Sequence, residues 1–198
     1  MLRIVCKPIV AALLGDYLDF FDHRAFTDNP RWASCYCNFP LHDPARKAWR
    51  LHTAPENRAA VAQCIASNKA SGFLAYVGDT VVGWCNAAPW SSYPMLRDSP
   101  QPEAATLGMI YCFIVEAKWR GRGVARTLLG AACEGLRASG LAAVQATPLK
   151  SSHDAGANHL GPLGMYLSAG FQVVCDGEDG TVVVRKSLLG TAPITAQV

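Results

Sequence analysis

The sequence is short of charge. Asp, Glu, Lys and Arg make up 17% of the residues against 51% hydrophobic ones, and the formal net charge is +3. A nucleic-acid-binding chain shows a basic stripe, and none is present, so no nucleic-acid partner is expected. Long apolar runs are missing too. Near the N-terminus the uncharged stretch from Ile9 to Leu14 spans six residues, then meets Gly15 and Asp16. That is too short to cross a membrane, and no small-residue cleavage site follows it. No membrane partner and a cytoplasmic, reducing setting are therefore expected. There the eight cysteines are free thiols, mostly small core residues, and not a disulfide framework. Repeats, low-complexity tracts and long Pro/Gly linkers are likewise absent. A chain of 198 residues without them reads as one domain over 1–198, apolar enough to bury a sizeable core.

A metal site has little to build on. Cys35-Tyr36-Cys37 with His42 close by is the densest cluster of soft ligands. One residue between cysteines is poor spacing for a zinc knuckle, and no second pair follows, so no metal is expected. Cys35 and Cys37 are expected to share one strand-like face.

The patterning that is present alternates strand and helix. Arg3 to Cys6 reads as a strand, and Pro8 opens a helix with Leu14, Leu18 and Phe21 on one face. A loop runs from Phe26 to Leu41. A second helix covers Glu56 to Lys69, its stripe formed by Asn57, Ala60, Val61, Cys64 and Ile65. Gly72 to Val77 and Thr80 to Asn86 form a hairpin about Gly78-Asp79. Tyr93 to Thr106, rich in proline, is a surface loop. Met109 to Val115 is a near-continuous apolar run, the signature of a central buried strand. Val124 to Ser139 is a helix stopped by Gly140, with Val124, Leu128, Ala131, Ala132 and Leu136 inward. Ala142 to Thr147 is a strand. After a His- and Gly-rich loop, Leu163 to Ser168 is a short helix. Phe171 to Cys175 and Thr181 to Arg185 close the chain as a hairpin. The order β-α-α-β-β-β-α-β-α-β-β gives a mixed α/β sheet with helices on its faces.

The most informative segment is Arg120-Gly121-Arg122-Gly123-Val124-Ala125, between a buried strand and a helix. Glycines let the chain turn so that several N–H groups converge on an anion. The helix start adds unpaired donors and a partial positive charge. Lys118, Arg120, Arg122 and Arg126 lie nearby, so a pyrophosphate is the natural guest. A nucleotide P-loop needs Lys and Ser/Thr after its last glycine, where Val124-Ala125 stand. A dinucleotide fingerprint needs a third glycine where Arg126 stands and an acid at the next strand, which Ala142 to Thr147 lacks.

The segment resembles motif A of the GNAT acetyltransferases, R/Q-x-x-G-x-G/A, with Arg120, Gly123 and Ala125 at its fixed positions. The preceding strand Cys112-Phe113-Ile114-Val115, a tyrosine four residues before a Gly-Phe pair (Tyr166 and Gly170-Phe171), and the element order are similar to the family over nearly the whole chain. A subgroup with a Cys-x-Cys loop and a Gly-Trp-Cys strand is resembled in particular. The resemblance implies the acyl-CoA N-acyltransferase fold and acetyl-CoA as co-substrate. It implies that main-chain groups of Phe113, Ile114 and Val115 pair with the pantetheine arm, an N–H near Ile114 polarising the thioester carbonyl. Arg120, Gly121, Arg122, Gly123, Val124, Ala125 and Arg126 hold the pyrophosphate, and Asn158 lies near the coenzyme.

By the same resemblance Tyr166 donates a proton to the departing thiolate, although a ring merely packed on the sheet also fits. Glu116 reads as an exposed turn carboxylate. Asp28 lies in a loop that shapes the acceptor pocket in this family, and no general base stands out. Trp32, Trp84 and Trp90 are expected to give the acceptor side an aromatic character, although Trp84 and Trp90 also fit as core and rim packing. The acceptor is a small-molecule or peptide amine, and homodimerisation is left open. The rival function is a non-catalytic acyl-CoA or thiol sensor built around Cys35 and Cys37.

Overall fold

A computed structural model describes residues 3–99, 101–151, 158–177 and 179–189; residues 152–157 of the His- and Gly-rich loop lie outside them. The elements follow the expected order. Strand β1 (Ile4–Pro8) leads through a short 3-10 turn to helix α1 (Leu14–His23), and then come α2 (Ala54–Ala66), β2 (Gly72–Val77), β3 (Thr80–Pro89) and β4 (Leu107–Val115). Helix α3 (Val124–Ala138), β5 (Ala143–Ala146), α4 (Leu163–Ser168), β6 (Gln172–Asp176) and β7 (Val182–Ser187) complete the chain. The strands form one sheet in the order β1-β2-β3-β4-β5-β7-β6. Among these strands β4 and β5 are the one parallel pair, because α3 carries the chain back between them.

The period of two sorts the central strands onto two faces. Cys85, Phe113 and Val115 join Val124, Leu128 and Leu129 of α3 in one core. Their neighbours Trp84, Cys112 and Ile114 join Tyr17 and Phe20 of α1 and Val61 and Ile65 of α2 on the other side. Such a sheet, covered on both faces, explains why Met109 to Val115 reads as an apolar run rather than an alternation.

Several boundaries differ from expectation for identifiable reasons. Pro8 does not open the first helix; it ends β1 at the sheet edge, where a missing N–H costs nothing. The buried face of α1 is Tyr17, Phe20 and Phe21, with Leu14 and Leu18 only half-buried. Helix α2 starts two residues before Glu56, because Thr53 and Glu56 form a reciprocal capping box with Pro55 in the first turn. Tyr93, expected on a surface loop, is 1% exposed and donates to Asn86 Oδ1 at 2.6 Å.

The feature that positions the site is an early divergence. Strands β4 and β5 pair only from Leu107 to Ile110 opposite Ala143 to Ala146. At that point β4 carries a bulge, Tyr111 having no opposite number between Asn86 and Ala87 of β3. A bulge bends its strand and increases the local twist. Beyond it, Cys112 to Val115 stays paired to β3 while its other edge has left β5.

Candidate active site

Two cavities open where β4 parts from β5. The larger, about 540 Å³, lies between the end of β4 and the start of α3. Its walls include Phe113, Ile114, Val115, Arg120, Gly121, Gly123, Val124, Ala125, Arg126 and Asn158. Ten expected coenzyme residues thus meet around one space. Arg122 is not among the lining residues. Its guanidinium lies 5.4 Å from the centre of the ring of Trp119, which does line the cavity, a cation–π placement beside the same space.

The turn before α3 has the conformation that its glycines suggest. Gly121 and Gly123 adopt φ of +70° and +85°, the left-handed region, and Gly123 is the N-cap of α3. A Cβ on Gly123 would meet nothing within 4 Å, so the main chain there faces open space. The first helical N–H to bond backward is that of Thr127, to the Gly123 carbonyl at 2.9 Å. The amides of Val124, Ala125 and Arg126 have no partner within the helix. This turn can cradle an anion against the helix start.

The basic side chains around it are largely engaged. Lys118 pairs with Glu116 at 2.8 Å. Arg120 clamps Asp28 with both terminal nitrogens, one at 3.0 Å from Oδ1, while its Nε donates to the Val115 carbonyl at 3.1 Å. That hydrogen bond, with the positive charge behind it, holds the Asp28 carboxyl below the usual carboxylate range. Arg120 therefore ties the Asp28 loop to the end of β4, and Arg126 is the exposed cation left on the cavity wall. Glu116 is not the exposed carboxylate expected: it is 7% exposed, and its Oε2 has no partner among the described residues.

Two main-chain groups on the free edge of β4 are also engaged. The Phe113 N–H donates to the His159 carbonyl at 2.6 Å, and the Val115 carbonyl receives Arg120. The Oδ1 of Asn158 is buried on the same wall without a partner among the described residues, an acceptor suited to an amide N–H.

Tyr166 lies behind the cavity. It is fully buried, its ring packs edge-on against Phe171 with centres 5.1 Å apart, and its hydroxyl donates to the Leu160 carbonyl at 2.8 Å. Burial drives its pKa well above the usual phenol range, so it stays protonated, but its one proton is already directed at a carbonyl.

The second cavity, about 340 Å³, adjoins the first; Phe26, Trp32, Ile114 and His159 line both. Its further walls are aromatic rings (Phe39, Trp49, Tyr111) and thiols (Cys35, Cys37, Cys112). Cys35 and Cys37 do not share a strand face. Tyr36 and Cys37 take φ of +47° and +50°, making a tight left-handed turn. Tyr17 pins that turn by donating to the Tyr36 carbonyl at 2.7 Å, and the Tyr36 hydroxyl donates to Asp22 at 2.7 Å. Asn57 donates to the Ser34 carbonyl at 2.8 Å and receives Asn38 at 3.0 Å. Trp84, expected on this side, is core packing edge-on to Tyr17, and neither it nor Trp90 lines either of these two cavities. Among the described residues no group of three or more His, Cys, Asp or Glu could hold a metal ion.

Tyr111, Cys112, Phe39 and Trp49 were not anticipated as cavity residues. The one available signal was Tyr111, the sole side chain with a polar tip inside the apolar run from Met109 to Val115.

The sequence profile of the Acetyltransferase (GNAT) family matches residues 32–171. The chain belongs to this family, a class that the splayed β4 and the glycine turn had already outlined. No curated protein matches it. Among solved structures, yncA from Salmonella typhimurium, with its cofactor acetyl-CoA, is similar over 98% of this chain and 99% of its own at 15% identity and a TM-score of 0.54. The paiA N-acetyltransferase from Thermoplasma acidophilum, in complex with coenzyme A, is 12% identical over 93% of this chain and 99% of its own, with a TM-score of 0.54. The ribosomal-protein-alanine N-acetyltransferase from Brucella melitensis is 16% identical, covering 92% and 99%, with a TM-score of 0.52. At such identities the likeness is one of fold. No helix among the described residues is long and apolar enough to cross a membrane.

Proposed function

We propose that this chain transfers the acetyl group of acetyl-CoA to a primary amine by direct attack in a ternary complex. One observation carries the reading: the cavity built on the glycine turn and the aromatic, thiol-lined cavity share a wall. The pyrophosphate rests on the turn from Gly121 to Arg126, the pantetheine follows the open edge of β4 with Asn158 beside it, and the thioester comes to the common wall. The acceptor fills the second cavity. Holding the two reactants in neighbouring spaces removes much of the entropic barrier.

The proton inventory points to His159. Of the described side chains lining either cavity, the titratable ones are arginines, cysteines, Tyr111 and His159; no carboxylate is among them. Burial pushes Cys35 up to about 11 and Tyr111 up to about 12, so neither is a base at neutral pH. An imidazole is the side chain suited to taking and returning a proton, and His159 borders both spaces. The amine lone pair forms the N–C bond, and the C–S bond breaks with its electron pair left on sulfur. The amine proton passes to His159 and from there to the thiolate, giving the amide and CoA thiol.

His159→Gln tests this. Turnover, followed by CoA-thiol release across an amine panel, is expected to fall by about 10²–10⁴-fold with loss of the acidic limb of the pH profile. Acetyl-CoA affinity by calorimetry should change less than tenfold, about 1.4 kcal/mol. Retained turnover with an unchanged pH profile refutes the assignment, and a wild-type protein that binds no acetyl-CoA refutes the function.

A thiol-sensing role draws on one contact, a hydrogen bond between Cys37 and Cys112. That bond and burial raise the Cys112 pKa well above its usual value, which disfavours the thiolate that such chemistry needs.

A further inference from the structure

The second cavity carries information about its occupant. Among the described residues on its wall, Arg31 is the one charged side chain. Arg31 is exposed, and among the described residues no ion pair engages it. Asp28, the nearest acid in sequence, is held by Arg120. The rest of the wall consists mainly of aromatic rings and neutral thiols, that of Cys35 pushed up in pKa by burial and that of Cys112 by its hydrogen bond to Cys37 and burial, which offer little to a solvated cation.

An alkyl polyamine or a lysine-rich peptide enters such a space badly. Each ammonium would shed its water with no carboxylate to replace it, and an unpaired charge in an apolar pocket is costly. Arg31 adds like-charge repulsion. The same wall suits a flat apolar body, which offset-stacks or meets ring edges. An anion on that body gives the guanidinium a planar partner for two parallel hydrogen bonds.

We propose that the acceptor is a small amine carrying an aromatic ring and a carboxylate or like anion, its ring among Trp32, Phe39, Trp49 and Tyr111 and its anion on Arg31. This deepens the acetyl-transfer reading above and rests on it. Two sources share the chemistry, an aromatic α-amino acid and an aminoaryl acid.

The experiment takes the full chain with saturating acetyl-CoA. Tryptophan against tryptamine, and 4-aminobenzoate against aniline, report CoA-thiol release; spermidine serves as the polycation. In parallel, quenching of tryptophan fluorescence by 4-aminobenzoate, and calorimetry for tryptophan, report binding to the CoA-loaded protein. The acid member of one pair is expected to exceed its uncharged or cationic partner in kcat/KM or affinity by about tenfold or more, and the pair that does so names the source. In Arg31→Gln that ratio should collapse towards one, with Arg31→Lys restoring part of it. Spermidine as the best acceptor, ratios near one in the wild type, or ratios unmoved in Arg31→Gln overturn the proposal. So does a protein that binds acetyl-CoA yet binds neither acid. Loss of acetyl-CoA binding itself would instead strike the underlying acetyl-transfer reading.

Discussion

Gly123→Ala separates the mechanical role of the glycine turn from its chemical one. Gly123 has a φ of +85° at the N-cap of α3, and an L-residue forced into that region costs roughly 1–2 kcal/mol. No clash adds to this, since a Cβ would meet nothing within 4 Å. The variant should therefore fold, with its urea midpoint lowered by about that amount. The added methyl stands in the space where phosphate oxygens must come within about 2.7–3.2 Å of the amides of Val124 and Ala125. Acetyl-CoA Kd, read by calorimetry, should rise at least about tenfold, or about 1.4 kcal/mol. Gly130→Ala is the control. Gly130 is an exposed position inside α3, where alanine has open space and should stabilise by about 0.5–1 kcal/mol without touching affinity. If Gly123→Ala loses stability as expected and still binds acetyl-CoA like the wild type, the pyrophosphate does not sit on this turn.

Two further outcomes follow from contacts already described. Tyr166→Phe should lower stability by about 1 kcal/mol, from loss of the bond to the buried Leu160 segment, and leave turnover within a few-fold; a rate loss beyond a hundredfold would restore the proton-donor role. The Asp28–Arg120 pair makes stability depend on acidity. Because Arg120 lowers the Asp28 pKa in the folded state, its contribution is full above roughly pH 4, the unfolded value, and disappears as pH falls through the lower folded one. Half-exposed on the Asp28 side, the pair contributes about 1 kcal/mol or less. Asp28→Asn should flatten the acid limb of the wild-type stability curve below about pH 4, and identical curves would refute the linkage.

What the sequence discloses depends on how local the cause is. The order of strands and helices follows from short-range periodicity, and Gly140 stops α3 at φ +83° because its neighbours already form a helix. The glycine turn is legible for the same reason: its conformational demand is written in Gly121 and Gly123 themselves. The Arg120–Asp28 clamp spans 92 positions, and no pattern in either segment announces it. The direction of the Tyr166 hydroxyl is hidden as well, because it depends on which carbonyl the surrounding fold brings near, here that of Leu160. The left-handed turn at Tyr36 and Cys37 is equally hidden. Neither residue favours positive φ, and the turn exists because Tyr17, on a separate helix, holds the Tyr36 carbonyl.

That pinned turn has a consequence for how the wall of the second cavity behaves. Two adjacent side-chain-bearing residues in left-handed geometry cost on the order of 1–3 kcal/mol each, and they persist only because hydrogen bonds from α1 and α2 overrule local preference. The recess holding Cys35 and Cys37 is thus moulded before any guest arrives. A compound that fits gains its full contact energy without first ordering a loop. One that does not fit meets a wall braced from behind by the rest of the fold. Selectivity in this enzyme would then change by trading the side chains that face inward, with the backbone behind them left as it is.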